Sequence, residues 1–179
     1  VIPSNTLFLI GMPASGKTHW AEQLSARHNI NMLDTDDIIE DEEDCSISEL
    51  FDKKGEAYFR QREHEVLLNI IAQQQEEGAE PLLVACGGGM PCYNNNMQLM
   101  NEGGTTLYLR SSAAVLIERL LAEFEKRPLL SEQQDLQDYA RQLLEERKKY
   151  YEQADQIIDT ENLSLITFEP IIKACIEQP

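Results

Sequence analysis

Thr6-Leu7-Phe8-Leu9-Ile10 runs directly into Gly11-Met12-Pro13-Ala14-Ser15-Gly16-Lys17-Thr18. The first five residues, apolar apart from one threonine, predict a buried strand. The next eight fit the pattern G-x-x-x-x-G-K-[ST]. Glycines let this backbone fold tightly, so that successive N–H groups point inward at phosphate oxygens. Lys17–Arg27 reads as a helix, whose start adds a positive dipole end at the same place. Lys17 can then reach the β- and γ-phosphates of a nucleotide, and the Thr18 hydroxyl can ligate Mg²⁺. The motif follows a strand and opens a helix, which is the setting it requires. The expected phosphate contacts are Gly11, Ala14, Ser15, Gly16, Lys17 and Thr18.

Outward from this cradle, short apolar runs alternate with longer helical stretches. Asn31–Leu33, Pro81–Ala85, Thr105–Leu109 and Gln156–Asp159 are further strand candidates. Helices are expected near Asp37–Asp41 and over Glu56–Glu77, Ser112–Phe124, Leu136–Ala154 and Ser164–Ile176. Ser46 or Ser48 can cap a separate turn holding Leu50 and Phe51. Alternation of this kind marks stacked β-α units around a parallel sheet, an α/β fold. No repeat or linker interrupts it, so residues 1–179 read as a single domain. Between Glu125 and Gln134 the periodicity breaks around Pro128, which predicts a mobile lid.

The 179 residues carry 32 acidic and 15 basic side chains, a formal charge of −17. That balance argues against nucleic acid and against an anionic membrane surface, both of which need clustered Lys and Arg. If the ligand is anionic, the attracting field must be local. The 42% apolar and 26% charged fractions are those of a folded protein. Cys45, Cys86, Cys92 and Cys175 form no C-x-x-C pair and have no His spaced for zinc, so they read as reduced thiols in the cytoplasm. No apolar run approaches about 18 residues and no signal peptide is visible. A monomer is expected.

Leu33-Asp34-Thr35-Asp36 closes the second strand candidate. Ligands of open α/β sheets sit beyond the carboxyl ends of strands. On an extended chain Asp34 and Asp36, two apart, point the same way. One carboxylate suits Mg²⁺, and the other suits a substrate hydroxyl whose proton must be removed.

These residues, with Phe59-Arg60, Gly87-Gly88-Gly89, Arg127-Pro128-Leu129-Leu130 and Arg147, stand in the order seen in shikimate kinase. The resemblance covers roughly residues 6–175. It implies a three-layer P-loop fold of the nucleoside-monophosphate-kinase type with a five-stranded parallel sheet, a substrate-binding region at about 34–64 and a lid at about 125–134. It implies ATP-dependent phosphorylation of the 3-hydroxyl of shikimate, in aromatic amino-acid biosynthesis. By position, Asp36, Arg60, Gly88, Gly89 and Arg147 match shikimate contacts, and Asp34 matches the carboxylate near Mg²⁺. Arg127 matches the lid arginine on the phosphates, and Arg119 one packed against adenine. The chemistry of the residues agrees. Shikimate has one carboxylate, which a planar guanidinium such as Arg60 or Arg147 can bind through two parallel bonds. Glu63, one turn after Arg60, can orient it. Gly87–Gly89 can offer backbone N–H groups with no side chain in the way, and Phe51 and Phe59 can wall the ring.

The chain departs from the family's pattern in places. Glycine is usual where this chain has Ala14; if that position needs a positive φ, alanine costs about 1 kcal/mol or more. Cys86 replaces a small hydroxyl residue, and Glu161–Leu163 lacks the usual adenine loop. The alternatives are another small-metabolite kinase, such as one for gluconate, and a nucleotide-binding regulatory module. A guanine-nucleotide switch would need an N-K-x-D element, which the chain lacks.

Overall fold

β1 (Thr6–Ile10) is buried along its whole length, as its composition requires. The structure, a computed structural model, describes residues 5–124 and 133–176. After β1 come α1 (Lys17–His28), β2 (Asn31–Asp34), α2 (Thr35–Glu43), α3 (Ile47–Gln74) and β3 (Leu82–Ala85). A 3₁₀ turn (Met90–Cys92), α4 (Asn96–Gly103), β4 (Thr105–Arg110), α5 (Ala113–Phe124), α6 (Gln133–Tyr151), β5 (Gln156–Asp159) and α7 (Leu165–Ile176) complete the order. The strands form one sheet, β2-β3-β1-β4-β5, parallel throughout.

Alternation along the strands sorts two cores. Phe8, Ile10, Leu82, Val84 and Tyr108 pack on one face with Ile39 of α2, Phe59 and Leu67 of α3, Met97 and Met100 of α4, and Tyr151 of α6. Leu7, Leu9, Leu83, Ala85, Leu107 and Leu109 pack on the other with Ala21 and Leu24 of α1 and Phe168 and Ile172 of α7. Helices on both faces of a parallel sheet make the expected three-layer P-loop fold. Strands covered on both sides have no polar face to show, which is why they read as unbroken apolar runs.

Register positions the site. β3 lies between β1 and β2, with Ala85 opposite Leu9 on one side and Asp34 on the other. The segments leaving these strands therefore emerge side by side at the carboxyl end of the sheet, where such folds bind ligands.

Two details differ from expectation and one is not described. The turn at Leu50 and Phe51 and the helix expected from Glu56 are one assignment, α3, broken at Gly55 (φ 81°, ψ 168°). Ser46 starts it with a reciprocal capping box to Glu49. Nothing in the periodicity announces α4, which is short and enters through left-handed Asn94 and Asn95. The lid expected at 125–134, with Arg127, lies outside the described residues except for Gln133 and Gln134 in α6. Among the described residues no helix is long and apolar enough to cross a membrane.

Candidate active site

The cradle is built almost wholly of backbone. Gly11 leaves β1 at φ 146° and Gly16 precedes α1 at φ 92°. Between them Ala14 has φ 61°, the left-handed conformation that disfavours a Cβ. Arg119 of α5 donates from Nη1 to the Ala14 carbonyl at 3.0 Å, so it lies against the cradle. The Ser15 N–H donates to the Met12 carbonyl at 3.2 Å, while Ser15 Oγ is buried with no partner among the described residues. Lys17 is buried, and its Nζ donates to the carbonyls of Gly11 (3.1 Å) and Met12 (2.8 Å). Burial pushes its pKa down to about 8, opposed by the charge of Asp36.

The two aspartates meet this cradle by a route other than strand alternation. Asp34 ends β2 and caps α2, its Oδ1 accepting the Asp36 N–H at 3.0 Å. Asp36 therefore stands in the first turn of a helix, not on extended chain. A short acid favours the cap over one more strand residue because it satisfies an N–H that would otherwise be orphaned. The other Asp34 oxygen, Oδ2, accepts the Thr18 hydroxyl at 2.7 Å. These two hard oxygen donors, already together, fit Mg²⁺, which keeps water and phosphate oxygens for most of its shell. Asp36 Oδ1 is buried without a partner among the described residues. Burial, then the charge of Asp34, pushes its pKa up to about 6, against the pull of Lys17.

The glycine triplet lies between the aspartates and the arginine. A Cβ on Gly87 would stand 2.6 Å from Asp36 Oδ1 and 2.9 Å from Glu63 Oε1, and one on Gly89 would stand 2.7 Å from Arg60 Cζ. Charged groups thus press directly on these α-carbons, and no larger residue fits. The Gly87 N–H, expected to face a ligand, is given instead to Thr35 Oγ1 at 2.8 Å. Tyr151 donates its hydroxyl to the Gly88 carbonyl at 2.6 Å and fixes the triplet from α6.

Arg60 donates from Nη1 to Glu63 Oε2 at 2.7 Å. The Glu63 side chain is 1% exposed, and its Oε1 has no partner among the described residues. Burial pushes its pKa up to about 7, against the neighbouring Arg60. The Arg60 guanidinium sits 4.3 Å from the ring centre of Tyr93, 5.1 Å from that of Phe59 and 5.9 Å from that of Phe51. Arg147 of α6 is half-buried, and its charge acts on Lys17, Glu56, Glu63 and Tyr93, which puts it in the same cleft. Cys86 is buried beneath the triplet, where burial pushes its thiol pKa up and keeps it protonated.

The fold therefore brings together every expected site residue except Arg127, which lies outside the described residues. Thr35, Glu56, Tyr93 and Tyr151 also belong to this assembly and were not legible in advance. Thr35, enclosed by the two aspartates, and Glu56, one helical turn before Arg60, carried a signal.

A phosphate cradle on a parallel sheet, beside buried carboxylates and a braced guanidinium, defines a P-loop kinase of the nucleoside-monophosphate-kinase type. The family model for shikimate kinase matches residues 13–177, and the chain belongs to that family. A shikimate kinase from Clostridium botulinum strain Langeland is 37% identical over 164 residues, which cover 90% of this chain and 92% of that one. The crystal structure of shikimate kinase from Bacteroides thetaiotaomicron superposes with a TM-score of 0.77 at 30% identity, covering 94% of each chain. Shikimate kinase from Acinetobacter baumannii in complex with shikimate superposes with a TM-score of 0.78 at 27% identity, covering 94% of this chain and 91% of that one. The protein is an ATP-dependent kinase.

Proposed function

We propose that this kinase transfers the γ-phosphoryl group of ATP to the 3-hydroxyl of shikimate, and that the residues gathered above do the work. The observation that carries the assignment of roles is Asp36 Oδ1, buried against Gly87 with no partner among the described residues, near a guanidinium braced by Glu63. Asp36 accepts the substrate hydroxyl and takes its proton as the oxygen–phosphorus bond forms and the bond to the bridging oxygen of ADP breaks. Arg60 and Arg147 bind the carboxylate, and the backbone of Gly88 and Gly89 takes further contacts, since the Gly87 N–H is committed to Thr35. Lys17 has three donors and gives two to cradle carbonyls, which leaves one for a phosphate oxygen. Gly11, Ala14, Ser15, Gly16 and Thr18 line the triphosphate. Arg119 stands on the adenine side, and Arg127 reaches the transferring group, as the family resemblance implies. Thr18 and Asp34 would hold Mg²⁺, whose charge would offset that of the phosphates. The same reading places the enzyme in the cytoplasm as a monomer, where its four free cysteines stay reduced.

The test is ATP consumption, with Mg²⁺, in the presence of shikimate, of gluconate, or of neither. A rate that rises only with shikimate is expected. Equal rates in all three arms would remove the assignment.

A further inference from the structure

Arg60 offers a second edge besides the Nη1 held by Glu63. Its Nε and Nη2 form the pair of parallel N–H groups that a substrate carboxylate would take. That edge is occupied from within. Nε and Nη2 both donate to Glu56 Oε1, at 3.1 and 2.9 Å, and the Tyr93 hydroxyl donates to the same oxygen at 3.2 Å. The two acids on Arg60 are unlike. Glu63 is 1% exposed and has nowhere to go, whereas Glu56 is 54% exposed and can turn into water. Glu56 also follows Gly55 directly, at the break in α3, and nothing lies within 4 Å of where a Gly55 Cβ would stand. The guanidinium itself lies beside three rings and has Glu63 as its second, buried partner.

We propose that Glu56 is an internal competitor for the substrate carboxylate. It holds the Nε–Nη2 edge of Arg60 in the empty enzyme, swings out when shikimate binds, and so sets the KM for shikimate. The proposal rests on the reading that Arg60 takes that carboxylate. A site available only part of the time binds with an affinity lowered by the available fraction. For an exposed ion pair that factor is about two- to fivefold. The arrangement also filters ligands. A simple carboxylate gains only what Glu56 already supplies, while a ligand that also reaches Asp36 and the glycine backbone gains more and displaces it.

The test is steady-state kinetics of Glu56→Gln and Glu56→Ala in the full-length enzyme. Both should lower KM for shikimate about two- to fivefold, with kcat moving less than twofold and KM for ATP unmoved. Tyr93→Phe, which keeps the ring but removes one bond to Glu56, should shift KM the same way by less. In an Arg60→Met background the effect of Glu56→Gln should vanish, because no cation is left for the competitor to hold. An unchanged or raised KM in both Glu56 variants overturns the proposal, since Glu56 would then be a spectator or a brace. If Arg60→Met itself leaves KM for shikimate unchanged, the failure lies in the carboxylate role of Arg60, whatever the Glu56 variants do.

Discussion

On the proposed reading, the cradle around Lys17 and the pocket around Arg60 both bind anions at the mouth of one sheet, and they do so by opposite means. The cradle is eight consecutive residues whose working groups are mostly backbone, and its one cation rests on neutral carbonyls. The pocket draws side chains from α2, α3, the segment after β3, and α6, and its cations are flanked by acids: Arg60 by Glu56 and Glu63. The cradle thus keeps its cation on carbonyls, with Asp36 and Asp34 acting on it only through space, which leaves it available to a triphosphate. The pocket stores its charge in pairs that one carboxylate and a few hydroxyls can enter. This also resolves how a chain of charge −17 binds anions. The field is set within the cleft, and acids on outer helix faces are screened over about 8 Å at physiological salt.

If the two regions are separable, damage to the cradle should spare the pocket. Lys17→Ala should lower kcat about a thousandfold, the scale of losing a positioned cation that stabilises a transferring phosphoryl group. Its shikimate affinity, measured by calorimetry without nucleotide, should stay within about twofold of the wild type. A loss of shikimate affinity as large as the loss of turnover would show that the regions are one electrostatic unit.

The same contrast explains what could be read from the sequence. The cradle is legible because its function depends on a local backbone shape that eight residues specify, in the right place after β1. The three inner strands, β1, β3 and β4, are legible because burial on both faces leaves an apolar run, and the edge strands β2 and β5 only as short runs between helices. Asp34 and Asp36 are legible as a pair, yet their geometry is not, because a helix cap replaced the extended chain. Arg60 needed the family's order of motifs to stand out from other helix charges. Tyr93 was not legible, since its meaning lies in a contact between α3 and the turn before α4 that no spacing encodes, whereas Glu56 stands four residues from Arg60 and could have been read from that spacing.

Each region should also own one limb of the pH profile. Asp36 must be ionised to accept a proton, and its pKa is raised to about 6, so activity falls as pH drops through that value. Glu63, raised to about 7, must be ionised to brace Arg60 fully. The two carboxylates face each other at Gly87 and titrate as a pair, so the acid limb should lie between these values. Lys17 must be charged, and its pKa is lowered to about 8, so activity falls again as pH rises through that value. A plot of kcat/KM for shikimate should therefore be a narrow bell, losing about tenfold per pH unit beyond each limb. An acid limb near 4, the ordinary carboxylate value, would mean that Asp36 is solvated and that the pocket is not the dry side-chain assembly described.

The smallest effect probes the claim that the cradle is a backbone device. Ala14 sits at φ 61°, where an L-residue costs about 1–2 kcal/mol. Glycine removes that strain from the folded state but raises the entropy of the unfolded chain, by about 0.4–1 kcal/mol. Relief should win narrowly, so Ala14→Gly should stabilise the protein by up to about 1 kcal/mol, or about 2–4 °C in Tm for a chain of this size. Turnover should be nearly unmoved, because the direction of the Ala14 carbonyl is already fixed by Arg119 at 3.0 Å. Thermal melts of the single variant and of Ala14→Gly combined with Arg119→Ala test this. A lower Tm for Ala14→Gly alone would mean that the methyl group is packed to advantage. The cradle would then depend on side-chain contacts, as the pocket does, and the distinction between the two regions would narrow to their charge pairing alone.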